Sequence, residues 1–290
     1  MSRRRLHESA GRDTLSGMST HLFDEAIALQ SDSPGHFVGH THKAYWNMVG
    51  PFGGITAATI VRAIMDHPQR LGEPLSLTVN YAGALTEGPF ELQVTPVRTN
   101  RSTQHWTVTL LQNDPAGLPV VTTTATAVTA ARRETWSQSD TPMPAVPAPE
   151  TLERRVMFKG VEWLARYDMR PLTGAVPHVW DGGGDTSLTR LWMRDEPARP
   201  LDFAALASMC DVFFPRVWLR RATQVPAGTV SITVYFHAGG AELAATGSGY
   251  LLGQAQAQEF RNGFFDQTAQ VWNQAGVMLA TSHQVVYFKA

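Results

Sequence analysis

The chain has 290 residues, a net charge of −1 at neutral pH and one cysteine, Cys210. That length suits two domains of ordinary size, and the near-zero charge argues against nucleic acid or an anionic membrane surface as a partner. One cysteine excludes an intrachain disulfide framework and a thiolate metal cluster, and no apolar run reaches the length of a membrane span.

Residues 1–20 are basic and polar and read as a disordered tail without the apolar core of a secretory signal, so a cytoplasmic location is the default. A helix-compatible run at 23–29 and an irregular stretch at 31–51 precede Gly53-Gly54. The following run, 55–65, is apolar on nearly every side except at Arg62 and predicts a buried helix ended by His67-Pro68. Runs 75–84, 90–100, 103–113 and 120–129 are rich in Val, Thr and aromatics and predict strands, with a hairpin turn at Asp114-Pro115-Ala116-Gly117. One buried helix followed by an antiparallel meander makes a first domain over 21–131. Pro142, Pro144, Pro147 and Pro149 stiffen a linker over 132–156. The second domain, 157–290, has a strand at 163–170, a Gly-rich loop at 181–185, a strand at 187–194 and a helix at 203–214. That helix is polar only at Ser208 and Asp211 and is closed by Pro215; strands at 229–236, 241–254, 259–273 and 278–288 complete the domain.

The halves resemble each other. Leu75-Ser76-Leu77-Thr78-Val79-Asn80-Tyr81 and Val230-Ser231-Ile232-Thr233-Val234-Tyr235-Phe236 share a Ser-aliphatic-Thr-Val-x-aromatic pattern, at an offset of half the chain that indicates a duplicated domain. Their polar residues do not match: Asp211, Thr229 and Gln284 fall opposite Ile60, Pro74 and Ala125. An acid within an apolar helix carries a large desolvation cost unless it is partnered, by Arg216 or a backbone group, and such residues cluster at functional sites. Thr229 alone reads as a β-former at a strand edge. Gln284 needs partners if it faces inward and none if it faces solvent. His36, His40 and His42 lack a neighbouring carboxylate or thiolate and make a weak metal candidate. Cys210 reads as a small buried side chain, and residues 181–185 lack the Gly-Lys-Ser/Thr ending of a phosphate loop.

The stretches Tyr167-Asp168-Met169-Arg170-Pro171, Arg190-Leu191-Trp192-Met193-Arg194 and Ala207-Ser208-Met209-Cys210-Asp211-Val212-Phe213-Phe214-Pro215 resemble the second half of the acyl-CoA thioesterase II family and its thioesterase-like relatives. So do the segments from Thr229 to His237 and from Leu279 to Gln284, and the resemblance covers 21–290. It implies an α+β double hotdog, two tandem domains that each wrap an antiparallel sheet around a central apolar helix. It also implies an acyl-CoA thioester hydrolase of lipid metabolism with no cofactor and no metal. In that family Asp211, Thr229 and Gln284 would form one cluster around a water, the carboxylate accepting its proton and the other two orienting it. A backbone N–H at a helix start would stabilise the oxyanion. Gly53-Gly54 match the family's helix entry, and Arg98 to Ser102 approximates one of its turns. Arg98 and Arg101, with Arg216 and Arg220, are therefore candidates for the coenzyme A phosphates, and the acyl tail is expected along the apolar helix between the halves. After Thr229 the commoner family pattern is Ile/Leu-Asp-His-Ser; here Val230-Ser231-Ile232-Thr233 follows the divergent thioesterase-like branch. Two alternatives stand beside the hydrolase. A hotdog hydratase or dehydratase needs a histidine beside its aspartate, and only His237 and His283, on strands, are on offer. A non-catalytic acyl-CoA-binding protein would bind without turnover. A homodimer or larger homo-oligomer is expected, symmetric dimers being the commonest assembly.

Overall fold

The computed structural model describes residues 20–289 except 156, 157 and 159. The tail expected at 1–20 therefore lies, apart from residue 20, outside the described residues. Helix α1 (Leu22–Ala26) leads to strands β1 (Gln30–Ser33) and β2 (His36–His40). These two occupy the first part of the stretch expected to be irregular, 31–51; from 41 on it holds only a 3-10 turn, Lys43–Tyr45, and an isolated bridge between Trp46 and Pro51. β1 is exposed along its whole length, so no apolar alternation betrays it, and the hairpin turns on Gly35, whose φ of +84° favours glycine. Helix α2 (Gly53–Asp66) is followed by β3 (Glu73–Tyr81), β4 (Pro89–Thr99), β5 (Thr103–Asn113) and β6 (Pro119–Ala130), close to the expected spans.

The second half departs from expectation in three places. The run 163–170 is a 3-10 turn, Glu162–Arg166, before strand β7 (Tyr167–Thr173). The turn swings Trp163 inward, where it stacks on Phe52 with ring centroids 4.1 Å apart. Strand β8 (Thr189–Asp195) leads to helix α3, which spans only Phe203–Met209. Asp202 caps its start, accepting the Ala205 N–H at 2.8 Å. It ends short of 214 because the chain tightens into an i to i−3 bond, Asp211 N–H to the Ser208 carbonyl at 3.1 Å. Pro215, which disfavours helical backbone at Phe214, then starts helix α4 (Arg216–Arg221). Strand β9 (Ala227–Phe236) is followed by helix α5 (Gly240–Thr246), not by the strand expected from 241. The carboxylates of Glu242 and Glu73 take the first N–H groups there, those of Gly239 at 2.8 Å and Gly240 at 3.2 Å. Strands β10 (Leu251–Gln256), β11 (Phe260–Arg261), β12 (Phe264–Asn273) and β13 (Met278–Phe288) complete the chain.

The thirteen strands of the described residues lie in one antiparallel sheet, ordered β1-β2-β4-β5-β6-β3-β9-β13-β12-β10-β8-β7, with β11 on β12. The halves join at β3 and β9. Thr78 pairs with Thr233, Ser76 with Tyr235, and Asn80 with Ser231. Because Ser76 and Ser231 are equivalents, as are Asn80 and Tyr235, the seam is isologous about a pseudo-two-fold axis through the two threonines, whose hydroxyls are 3.0 Å apart. The sheet wraps α2 and α3, which share one continuous core. This is the double hotdog that the resemblance implies.

Between Ala130 and Glu162 the only regular element among the described residues is a 3-10 turn, Pro149–Thr151. Met143, Val146 and Leu152 of this stretch pack on Trp192, Tyr250, Leu252 and Trp272, on the side of the second-half sheet away from α3. The Trp192 indole N–H donates to the Pro147 carbonyl at 2.9 Å. The Arg132 guanidinium donates to the carbonyls of Pro74 and Phe236, both at 2.8 Å, tying the ends of β3 and β9 together.

Gly54 sets how closely the central helices approach. A Cβ there would lie 2.6 Å from the Ser208 carbonyl oxygen and 2.5 Å from the Phe52 ring. Gly54→Ala is therefore expected to destabilise the protein by about 1–3 kcal/mol through overpacking, despite alanine's better helix propensity. Chemical denaturation of the variant beside the wild type measures it.

Candidate active site

The turn that ends α3 projects Asp211 toward the first turn of α2. A Cβ on Gly53 would stand 2.8 Å from Asp211 Oδ2, and the backbone of Gly54 lies close enough to favour the charged form of the carboxyl. On the other side Gln284 Nε2 donates to Asp211 Oδ1 at 2.8 Å. The Thr229 hydroxyl donates to Gln284 Oε1 at 3.4 Å, a long bond that closes the chain Thr229–Gln284–Asp211. The three side chains singled out in the sequence thus meet.

Each is aimed by its own local geometry. On β13 the inward residues are Ser282, Gln284 and Val286, so Gln284 follows simple alternation. Thr229 does not. Inward residues of β9 are Ile232, Val234 and Phe236, and the same phase would turn Thr229 out. A bulge leaves Val230 without a partner, Thr229 pairing with Val286 and Ser231 with Val285, and this reverses the phase. The bulge recurs in β3, where Pro74 pairs with Thr129 and Ser76 with Val128. Pro74 is therefore the true counterpart of Thr229. The counterpart of Gln284, which pairs with Ile232, is Ala127, which pairs with Leu77; the alignment with Ala125 slips by two residues. Counted from the helix caps Phe52 and Asp202, Asp211 falls opposite Val61, next to Ile60.

Burial pushes the Asp211 carboxyl up to about 7, against the opposing pull of the Gln284 amide and the Gly54 backbone. Arg216 does not neutralise it. Its guanidinium is fully buried but donates to the Phe214 and Ser187 carbonyls at 3.0 and 3.1 Å and to the Thr189 hydroxyl at 2.6 Å. Burial lowers its pKa to about 9.

Asp211, Thr229 and Gln284 open onto a cavity of about 820 Å³ built from both halves, within the size range of ligand sites. The first half contributes residues 47–53, Thr56, 81–85 and Thr123. The second contributes Trp163, Phe213, Phe214, Trp218, Phe265 and Val286 among others. Only Gly53 and Thr56 of α2 line it, and no residue of α3 does, so the cavity skirts the helix ends instead of running along the apolar helix as expected. Arg98 and Arg101, expected at the coenzyme, are exposed at the β4–β5 hairpin and do not line the cavity. Arg216 is enclosed in protein, and Arg220 is exposed on α4 with a bond to the Gly184 carbonyl at 2.8 Å. The candidate metal histidines have protein partners: His36 bonds Asp32, His40 the Thr41 carbonyl, and His42 the Ala44 N–H.

Two cavity residues escaped the sequence reading. The Tyr81 hydroxyl donates to the Gly53 carbonyl at 2.8 Å, and burial with the nearby Asp211 charge raises its pKa. Gln267 on β12 faces inward, directly across from Gln284. Its signal was the one that marks Gln284, a polar residue in the inward phase of a buried strand.

The acyl-CoA thioesterase N-terminal domain family matches residues 42–130, and the acyl-CoA thioesterase C-terminal domain family matches 137–288. The chain belongs to this family. It is 48% identical to a hotdog-fold protein of unknown function from Alicyclobacillus acidocaldarius, over 94% of this chain and 99% of that one, with a TM-score of 0.87. An acyl-CoA thioesterase II from Mycobacterium marinum superposes over 92% of this chain and 98% of its own at 17% identity, with a TM-score of 0.72, a likeness of fold. No curated protein matches significantly.

A carboxyl raised from 3.8 to about 7 makes stability depend on pH. The folded state holds the proton more tightly than the unfolded chain, so this contribution is complete below about pH 4 and is lost as pH rises through 7. The total is on the order of 4 kcal/mol. Asp211→Asn removes the titration, so its stability relative to wild type is expected to grow between pH 4 and 7 and then level off. Denaturant unfolding at a series of pH values checks this; a constant difference contradicts it.

Proposed function

We propose that the protein hydrolyses acyl-CoA thioesters with Asp211 as general base. The observation that supports this best is a buried carboxylate, poised near neutrality, held by Gln284 and the first turn of α2, and open to a cavity lined by both halves. A water held by Asp211 and oriented by Gln284 and Thr229 gives its proton to the carboxylate as its oxygen attacks the thioester carbonyl carbon. The developing oxyanion is stabilised by N–H groups of the first turn of α2, where unsatisfied donors and the helix dipole favour negative charge. The tetrahedral intermediate expels the coenzyme thiolate, which recovers the proton from Asp211. The products are a carboxylic acid and free coenzyme A, and no cofactor enters the balance. Proton transfer to carbon, as in a dehydratase, calls for a histidine beside the acid, and the cavity-lining residues include none.

Thiol release from a panel of acyl-CoA esters tests the reading. Turnover is expected, and Asp211→Asn should reduce kcat by about a hundredfold or more while the protein stays folded. Thr229→Val and Gln284→Ala should cost less, because each only orients the water. An Asp211→Asn variant with full activity would remove the assignment.

The working form of Asp211 is the carboxylate. With the carboxyl at about 7, kcat/KM should rise about tenfold per pH unit below 7 and level off above it. A flat profile from pH 5 to 8 would mean that another group limits the rate.

A further inference from the structure

Four glutamines are buried, Gln104, Gln112, Gln267 and Gln284. Three are satisfied within the protein. Gln104 accepts the Leu71 N–H and donates to the Gln69 carbonyl and the Thr99 hydroxyl. Gln112 accepts from Thr86 and donates to the Thr86 and Pro89 carbonyls. Gln284 joins Thr229 to Asp211. Gln267 differs: it is 2% exposed, and its Nε2 has no hydrogen-bond partner. Desolvating an amide without pairing it is costly, and a valine or leucine would fill the place without that cost. Among the described residues the Trp163 indole is the other buried side-chain donor on the cavity wall without a partner, but its stacking on Phe52 accounts for its place there. Gln267 has no such packing reason.

Its position suggests what would satisfy it. Gln267 pairs with Gln284 across β12 and β13, and both side chains face the cavity. The two backbones stand one strand spacing apart there, about 4.8 Å, so the carboxamides are neighbours on the same face. Two residues along, Phe265 pairs with Val286, and both line the cavity with Phe214 and Trp218. The wall thus passes from the Asp211 cluster to one free donor and then to an apolar end. A thioester carbonyl at the cluster, with its chain directed toward Phe265 and Trp218, carries its β-carbon past Gln267.

We propose that Gln267 is a specificity-determining residue whose free N–H donates to an oxygen on the β-carbon of the acyl chain. The favoured substrates are then β-hydroxyacyl or β-oxoacyl thioesters over plain acyl thioesters of the same length. The inference rests on the thioesterase reading for its ligand.

Matched pairs test it: butyryl-CoA with β-hydroxybutyryl-CoA, and hexanoyl-CoA with β-hydroxyhexanoyl-CoA. Wild-type kcat/KM should favour the hydroxylated member of each pair by about tenfold, the worth of one hydrogen bond. Gln267→Met and Gln267→Leu should erase that preference, slowing the hydroxylated member of each pair about tenfold more than the plain one. A wild type without preference, or variants that keep it, overturns the proposal. Melting of the ligand-free protein is an independent readout. Methionine in place of an unpaired buried amide should raise Tm, whereas a fall shows that Gln267 is bonded within the protein and overturns the assignment. If no thioester is hydrolysed, the thioesterase reading fails separately. Equilibrium titration of the same intact pairs then decides: tighter binding of the hydroxylated member, lost in Gln267→Met, sustains the proposal, and equal binding defeats it.

Discussion

The seam between β3 and β9 is the constraint on which the rest of the molecule depends. Pairing Thr78 with Thr233 makes one sheet of two and generates the pseudo-two-fold axis. Once the sheet is continuous, α2 and α3 must lie together on its concave side, since each has an apolar surface that only the other helix and the sheet can cover. Their contact in turn brings the first turn of one helix against the end of the other. The cavity and the carboxylate within it are consequences of that meeting.

At that point burial and hydrogen bonding oppose each other. Transfer of Asp211 from water favours its neutral form, while the Gln284 amide and the Gly54 backbone favour the charged one. The start of α2 is the favourable end of a dipole for an anion, whereas the end of α3 is the unfavourable one. Burial wins by enough to leave the group near neutrality and not so far that it stays protonated. Full pairing with Arg216 would have removed that balance. Instead the guanidinium is spent on holding the Phe214, Ser187 and Thr189 region behind the site.

The parts of the fold that could be read from the sequence are those whose burial has a period. The run around α2, the meander β3–β6 and the shared Ser-aliphatic-Thr-Val motif all carry strong patterns, and Asp211 was conspicuous because it breaks one. What was missed carries weak or misleading patterns. β1 is a polar exposed strand, α5 is a short helix held at its start by Glu242 and Glu73, and α3 stops where backbone bonding, not composition, ends it. Thr229 is the instructive case. Alternation points it to solvent, and only the bulge at Val230 turns it inward, so it was reached through resemblance to a family and not through its own neighbourhood. The alignment of Gln284 with Ala125, where the ladder gives Ala127, has a different cause: a slip of two residues keeps the alternation in phase, so the pattern does not reveal it.

The pseudo-symmetry also shows why only one of two possible sites is polar. Tyr81 and Phe236 end the same motif, and Gly53 and Phe203 begin the two central helices. On one side Gly53 leaves room, the Tyr81 hydroxyl bonds its carbonyl, and Asp211 enters the space. On the other, Phe203 occupies the place of the glycine and packs edge-on against Phe236 at 5.8 Å, with Val61 or Ile60 where the acid would be. The mirror position is filled with hydrocarbon. The halves have therefore not simply kept and lost one function. The first half supplies space at Gly53 and the start of α2, and the second supplies the carboxyl of Asp211 and the Gln284 and Thr229 side chains bonded to it. A glycine pair in the half that lacks the acid is thus part of the acid's own environment, and each half needs the other for the site to exist.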